Sequence, residues 1–168
     1  PPVSRGSAAA VVGCWRYANN ATVEIRGDGT SRTGPFNGAW RGSGSRYTIV
    51  WPEPVDTVTL SPDGRRLSGG NQYGIAVTAT RTSGAGGLAG GWLWGGVLPV
   101  DLAADGVVTL GALTGRWTLA DRARQIYRIT WPKIEENVTV SADGQRLTGT
   151  NQYGVAVAGT RLSATSCQ

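Results

Sequence analysis

Two identical tetrapeptides carry the densest polar chemistry in the chain: Asn71, Gln72, Tyr73 and Gly74, and again Asn151, Gln152, Tyr153 and Gly154. Asn and Gln each offer an amide donor and a carbonyl acceptor, so together they can meet the hydroxyls of a ligand in both directions. Tyr adds a stacking face and a hydroxyl. The same residues also suit a turn, because Asn tolerates the left-handed conformation, Gly supplies positive φ and Tyr packs a corner. The turn role weighs somewhat more, and the two are compatible, since loops on rigid sheets often carry ligands. Tryptophan is the second signal: the chain has 7 Trp and 1 Phe. An indole joins a broad apolar face to an N–H donor and suits sugar rings and other amphipathic ligands. Trp15, Trp40 and Trp51 recur as Trp92, Trp117 and Trp131, and Tyr17 recurs as Trp94. Trp15, Trp40, Trp92 and Trp117 read as core and end plugs. Trp51 and Trp131 each precede a proline at the end of a strand-like run, where a rim is expected. The candidate ligand-binding residues are therefore Tyr17, Trp51, Asn71, Gln72, Tyr73, Trp94, Trp131, Asn151, Gln152 and Tyr153.

Other chemistries have less to work with. Histidine is absent, which removes the commonest general base and metal ligand. A phosphate loop of the GxxxxGK type is missing, and no cluster of cysteines suggests a metal site. The segment SPDGRR sets one carboxylate beside two cations, a poor start for calcium. Paired carboxylates are the one hydrolytic apparatus available, with Glu24 and Asp56, or Asp101 and Glu136, as candidates. The simpler expectation is that these are strand-edge and turn carboxylates paired with arginine. No cofactor is implied, and the reading is of a non-catalytic protein.

The elements that must hold these residues come from a duplication. From Trp15/Trp92 through Trp40/Trp117 the two copies are offset by 77 residues, and from Tyr47/Tyr127 to Arg81/Arg161 by 80, because the second copy has three extra residues in LADRARQ. Copy 1 spans 12–82 and copy 2 spans 89–163, with a Gly-rich linker at 83–88 and tails at 1–11 and 164–168. YTIVW and YRITW alternate in the manner of strands, as do DTVTLS and ENVTVS, with Val58/Leu60 and Val138/Val140 on one face. Asp63-Gly64 and Asp143-Gly144 read as two-residue hairpin turns. LADRARQIY is expected to be a lengthened hairpin rather than a helix. The fold class is all-β: two antiparallel meanders of six to eight strands, each closed as a small barrel or both merged into one larger barrel or sandwich.

The composition is globular, with 40% hydrophobic and 16% charged residues, 26 Gly and no Met. The net charge is +5, but the arginines are scattered and Lys133 is the sole lysine, so the basic stripe of a nucleic-acid binder is missing. Nothing resembles a membrane-spanning run. Cys14 and Cys167 lie near opposite ends of the chain and are expected to form a disulfide, which implies a secreted or periplasmic protein.

The opening of each copy is Gly-x-Trp, at Gly13 to Trp15 and Gly90 to Trp92, and the closing strand of each ends in Arg81 or Arg161. This resembles the calycin barrels, the lipocalin and avidin group. The resemblance implies a barrel end in which an arginine covers the tryptophan, Arg81 on Trp15 and Arg161 on Trp92. The run from the first Trp through Trp-Pro and Asp-Gly to NQYG also resembles a tandem β-repeat of secreted bacterial proteins to which no function is attached. Three functions are compatible with the residues. The first is a bivalent binding module for carbohydrate or a similar polar-aromatic ligand. The second is a periplasmic protein-binding or enzyme-inhibitor barrel with an inserting N-terminal tail. The third is a calycin-like carrier of a small ligand.

Overall fold

The computed structural model of the chain describes residues 9–167. Most of the tail expected at 1–11, and with it the proposed inserting segment, lies outside the described residues, as does Gln168. Copy 1 supplies β1 (Gly13–Tyr17), β2 (Thr22–Ile25), β3 (Thr30–Thr33), β4 (Phe36–Ser43), β5 (Arg46–Trp51), β6 (Val55–Leu60), β7 (Arg66–Asn71) and β8 (Ala76–Ser83). Copy 2 supplies β9 (Gly90–Trp94), β10 (Leu98–Leu102), β11 (Val107–Leu110), β12 (Leu113–Asp121), β13 (Ile126–Thr130), β14 (Ile134–Val140), β15 (Arg146–Asn151) and β16 (Ala156–Arg161), followed by a 3-10 turn at Ala164–Cys167. Burial alternates along the strands: in β6, Asp56, Val58 and Leu60 point inward while Thr57 and Thr59 face out.

The strands close into two antiparallel barrels of eight, so no sheet edge is left open. The barrels are not the two sequence copies. Barrel A runs β1-β16-β15-β14-β5-β4-β3-β2 and barrel B runs β10-β11-β12-β13-β6-β7-β8-β9. Each thus combines the first five strands of one copy with the last three of the other. Among the described residues the compact units are accordingly 9–52 with 133–167, and 53–132. The chain passes between them twice, at Pro52-Glu53 and Pro132-Lys133. The glycine-rich segment read as a linker is instead the loop of the β8–β9 hairpin inside barrel B. Leu88 in that loop is fully buried.

One end of each barrel is plugged. In barrel A the indole N–H of Trp15 donates to the Val11 carbonyl at 2.9 Å, and the Arg161 guanidinium lies 4.4 Å from the Trp15 ring. Arg161 also donates to the carbonyls of Gly144 at 2.6 Å and Val12 at 2.9 Å, and to that of Ala10. Ala9 to Val11, placed in a tail by the sequence reading, are part of this plug, with Val11 in the core. Barrel B repeats the plan with Trp92, Leu88 and Arg81, the guanidinium 4.5 Å from the ring. The pairing expected from sequence, Trp15 with Arg81 and Trp92 with Arg161, is therefore exchanged. The closing strand β8 folds back on β9, leaving β16 to return to β1. That return also brings Cys14 and Cys167 together as a disulfide, with Cα atoms 5.8 Å apart.

The Asp-Gly turns differ from the two-residue form. Ser61 N–H donates to the Arg66 carbonyl at 2.9 Å, closing a longer loop in which Gly64 takes φ 73°. The Asp63 carboxylate accepts the Ser61 hydroxyl and the Arg65 N–H, which hold its pKa below the ordinary value. LADRARQ forms a lengthened hairpin: its first three residues end β12, with a register shift between Leu119 and Asp121, and 122–125 make the loop to β13.

Candidate functional site

The ends opposite the plugs gather the candidate residues. The antiparallel register puts the C-terminal ends of β1, β5 and β15 beside the N-terminal ends of β14 and β16. Tyr17, Trp51, Asn151, Gln152 and Tyr153 thereby share one end of barrel A. The equivalent end of barrel B holds Trp94, Trp131, Asn71, Gln72 and Tyr73. Each set mixes the two copies: Trp51 of copy 1 stands with the NQYG of copy 2, and Trp131 with the NQYG of copy 1.

A buried carboxylate sits at the centre of each set. In barrel A, Glu136 Oε1 accepts the Trp51 indole N–H at 2.9 Å and the Tyr17 hydroxyl at 3.1 Å. Burial raises the pKa of Glu136, and the two hydrogen bonds partly restore its acidity. The Tyr17 hydroxyl is pushed well above its ordinary value, first by burial and then by the adjacent Glu136. In barrel B, Asp56 Oδ2 accepts the Trp131 indole N–H at 2.7 Å, and Oδ1 accepts the Asn71 amide at 3.3 Å. Burial raises the Asp56 pKa, opposed by the bonds from Trp131, Asn71 and Trp94. The Trp94 and Trp131 rings meet edge to face with centroids 6.0 Å apart.

These carboxylates correct the expectation of strand-edge and turn acids paired with arginine: Asp56 is 4% exposed and Glu136 9%. The signal was in the sequence. The alternation that turns Val58/Leu60 and Val138/Val140 inward also turns Asp56 and Glu136 inward, two residues earlier. The proposed catalytic pairs are not assembled. Glu24 and Asp56 belong to different barrels, as do Asp101 and Glu136. Glu24 instead binds Arg26 at 2.8 Å, and Asp101 faces solvent.

The NQYG segments are turns. Asn71 Oδ1 accepts the N–H of Tyr73 at 3.0 Å and of Ile75 at 3.2 Å, and Asn151 does the same for Tyr153 and Val155. Gly74 and Gly154 carry the positive φ, 77° and 81°. Each Gln clamps the chain just after its barrel crossing. Gln72 accepts from Val55 N at 2.8 Å and donates to the Glu53 carbonyl at 2.6 Å. Gln152 accepts from Glu135 N at 2.9 Å and donates to the Lys133 carbonyl. The Asn oxygens and both Gln amides thus bond the backbone, and Tyr73, Tyr153 and Trp94 are half-buried, whereas Tyr17, Trp51 and Trp131 are buried, which corrects the rim position expected for Trp51 and Trp131. Trp40 and Trp117 tie turns elsewhere, donating to the carbonyls of Arg26 and Ala103.

Comparison with protein-family models, with curated proteins and with solved structures finds no match.

Proposed function

We propose that the chain is a non-catalytic carbohydrate-binding module with two sites, one at the unplugged end of each barrel. The observation that carries this reading is the gathering of aromatic residues at one end of each barrel: Tyr17 and Trp51 on Glu136 with Tyr153 at the same end, and Trp131 and Trp94 on Asp56 with Tyr73 at the same end. The buried carboxylates fix the rings beneath, and the half-buried Tyr153 of barrel A and Tyr73 and Trp94 of barrel B offer aromatic faces that suit sugar rings. The plugged opposite end is the feature the calycin resemblance implies. Two weak sites on one chain gain by avidity on a repeating polymer. The Cys14–Cys167 disulfide supports a secreted or periplasmic setting, where such polymers are met. The test is tryptophan fluorescence and calorimetric titration with a glycan panel, with millimolar to micromolar affinity per site as the expected result. An unchanged spectrum and no heat across neutral, acidic and amino glycans overturns the reading.

A second reading, a protein partner, is favoured by one observation. Ile75, Val97 and Leu98 are 58%, 74% and 45% exposed, on the β7–β8 and β9–β10 hairpins at the unplugged end of barrel B. Pull-down against a protease and lysozyme panel, with Val97→Asp as the control, separates this reading from glycan binding.

A further inference from the structure

The strands that join across the two copies are not interchangeable with their counterparts. In barrel A, Arg41 on β4 pairs with Glu135 on β14 at 3.0 Å, and Thr48 on β5 hydrogen-bonds Asn137 on β14 at 2.8 Å. The residues equivalent to Arg41 and Glu135 are Thr118 and Val55, and those equivalent to Thr48 and Asn137 are Arg128 and Thr57. Were each copy to close on itself, Arg41 would face Val55, Glu135 would face Thr118, and Thr48 would face Thr57. Both contacts would be lost.

The buried end of each barrel shows the same complementarity. Tyr17, the smaller ring, stands with Glu136, the longer acid. Trp94, the larger ring, stands with Asp56, the shorter one. Unexchanged barrels would set Tyr17 with Asp56, leaving a gap, and Trp94 with Glu136, overfilling the site. Neither conserves volume as the observed pairs do.

A further feature acts in the same direction. The single disulfide joins β1 of copy 1 to the segment after β16 of copy 2, and the positions equivalent to Cys14 and Cys167 are Gly91 and Gly87. Only the exchanged arrangement makes the two cysteines neighbours.

We infer that the two copies have diverged into mutually specific partners: the first five strands of each copy recognise the last three of the other, and this recognition selects the exchanged barrels over two self-closed ones. The surface concerned is the β5–β14 and β6–β13 seam together with the buried acid beside it, and its partner is the other copy of the repeat.

The test transposes the two equivalent tripeptides, Val55-Asp56-Thr57 and Glu135-Glu136-Asn137, within the full chain. The substitutions are Val55→Glu, Asp56→Glu, Thr57→Asn, Glu135→Val, Glu136→Asp and Asn137→Thr. Composition is unchanged, and each strand receives a sequence its counterpart already carries. In the transposed chain the matched pairs recur within each copy. After oxidative refolding, the wild type shows no free thiol, and the transposed chain is expected to show two, because Cys14 and Cys167 no longer meet. If the transposed chain stays exchanged, the inference requires its reduced form to lose at least tenfold in folding equilibrium constant. Should it not fold, the milder pair Asp56→Glu with Glu136→Asp is read the same way. A complete disulfide together with an unaltered denaturation midpoint of the reduced protein overturns the inference.

Discussion

Replacing Glu136 distinguishes a carboxylate that organises its end of barrel A from one that merely occupies space. Its Oε1 atom accepts from two buried donors, the Trp51 indole N–H at 2.9 Å and the Tyr17 hydroxyl at 3.1 Å. Glu136→Ala strands both. An unsatisfied buried donor costs about 1–3 kcal/mol, so the pair amounts to about 2–6 kcal/mol, with a further cost for the space left behind. Set against a typical total stability of about 5–15 kcal/mol, that loss is large enough to unfold barrel A selectively. Glu136→Gln keeps an acceptor oxygen in place and removes the buried charge, so its cost at neutral pH is under about 1 kcal/mol. The assay is urea denaturation followed by tryptophan fluorescence, in which Trp51 reports directly. Equal destabilisation by the two substitutions refutes the reasoning, because it would mean that shape, not hydrogen bonding, is what Glu136 supplies.

The same site predicts a pH dependence. Burial raises the Glu136 and Asp56 pKa values, so the folded state holds those protons more tightly than the unfolded chain does. Stability from this source is present below the ordinary carboxylate pKa, about 4, and is lost as pH rises through the raised folded values. The stability of Glu136→Gln relative to wild type, measured by urea melts, therefore increases from pH 4 to neutral; a flat or opposite trend contradicts it. Ser31 is buried in barrel A with its hydroxyl unsatisfied, and its counterpart in barrel B is the buried Val108. Ser31→Ala is expected to stabilise by about 1 kcal/mol, visible as a higher denaturant midpoint at unchanged slope. Reduction of Cys14–Cys167, which closes a separation of 153 residues, costs about 5 kcal/mol relative to the unfolded chain in the loop-entropy model. Hydrogen exchange is expected to quicken first in β1, β2 and β16 of barrel A.

The strands were legible because their alternation is regular and Asp-Gly punctuates them, as in β6–β7 and β14–β15. The disulfide and the plugging tryptophans were legible from their types and places in the repeat. Partner choice was not. Trp15 meets Arg161 rather than Arg81 because β16, not β8, neighbours β1, and both arginines follow a threonine late in equivalent strands. Pairing is decided by contacts such as Arg41–Glu135, 94 residues apart, which periodicity cannot register. The candidate residues were picked out by type, and the structure groups them across the copies. Asp56 and Glu136 were undervalued because a carboxylate is assigned to the surface by default, even where the alternation turns it inward.

The account rests on strands exchanged between copies, and one cut tests it. A protease site placed in the 84–87 loop of barrel B, cleaved in the folded protein and followed by reduction of the disulfide, leaves two fragments with no covalent link. Exchanged barrels hold them together, because each barrel contains strands from both, and light scattering then reports one particle of 17.5 kDa. Separation under native conditions into two folded particles of about half that mass, each a barrel closed on its own copy, would contradict the account.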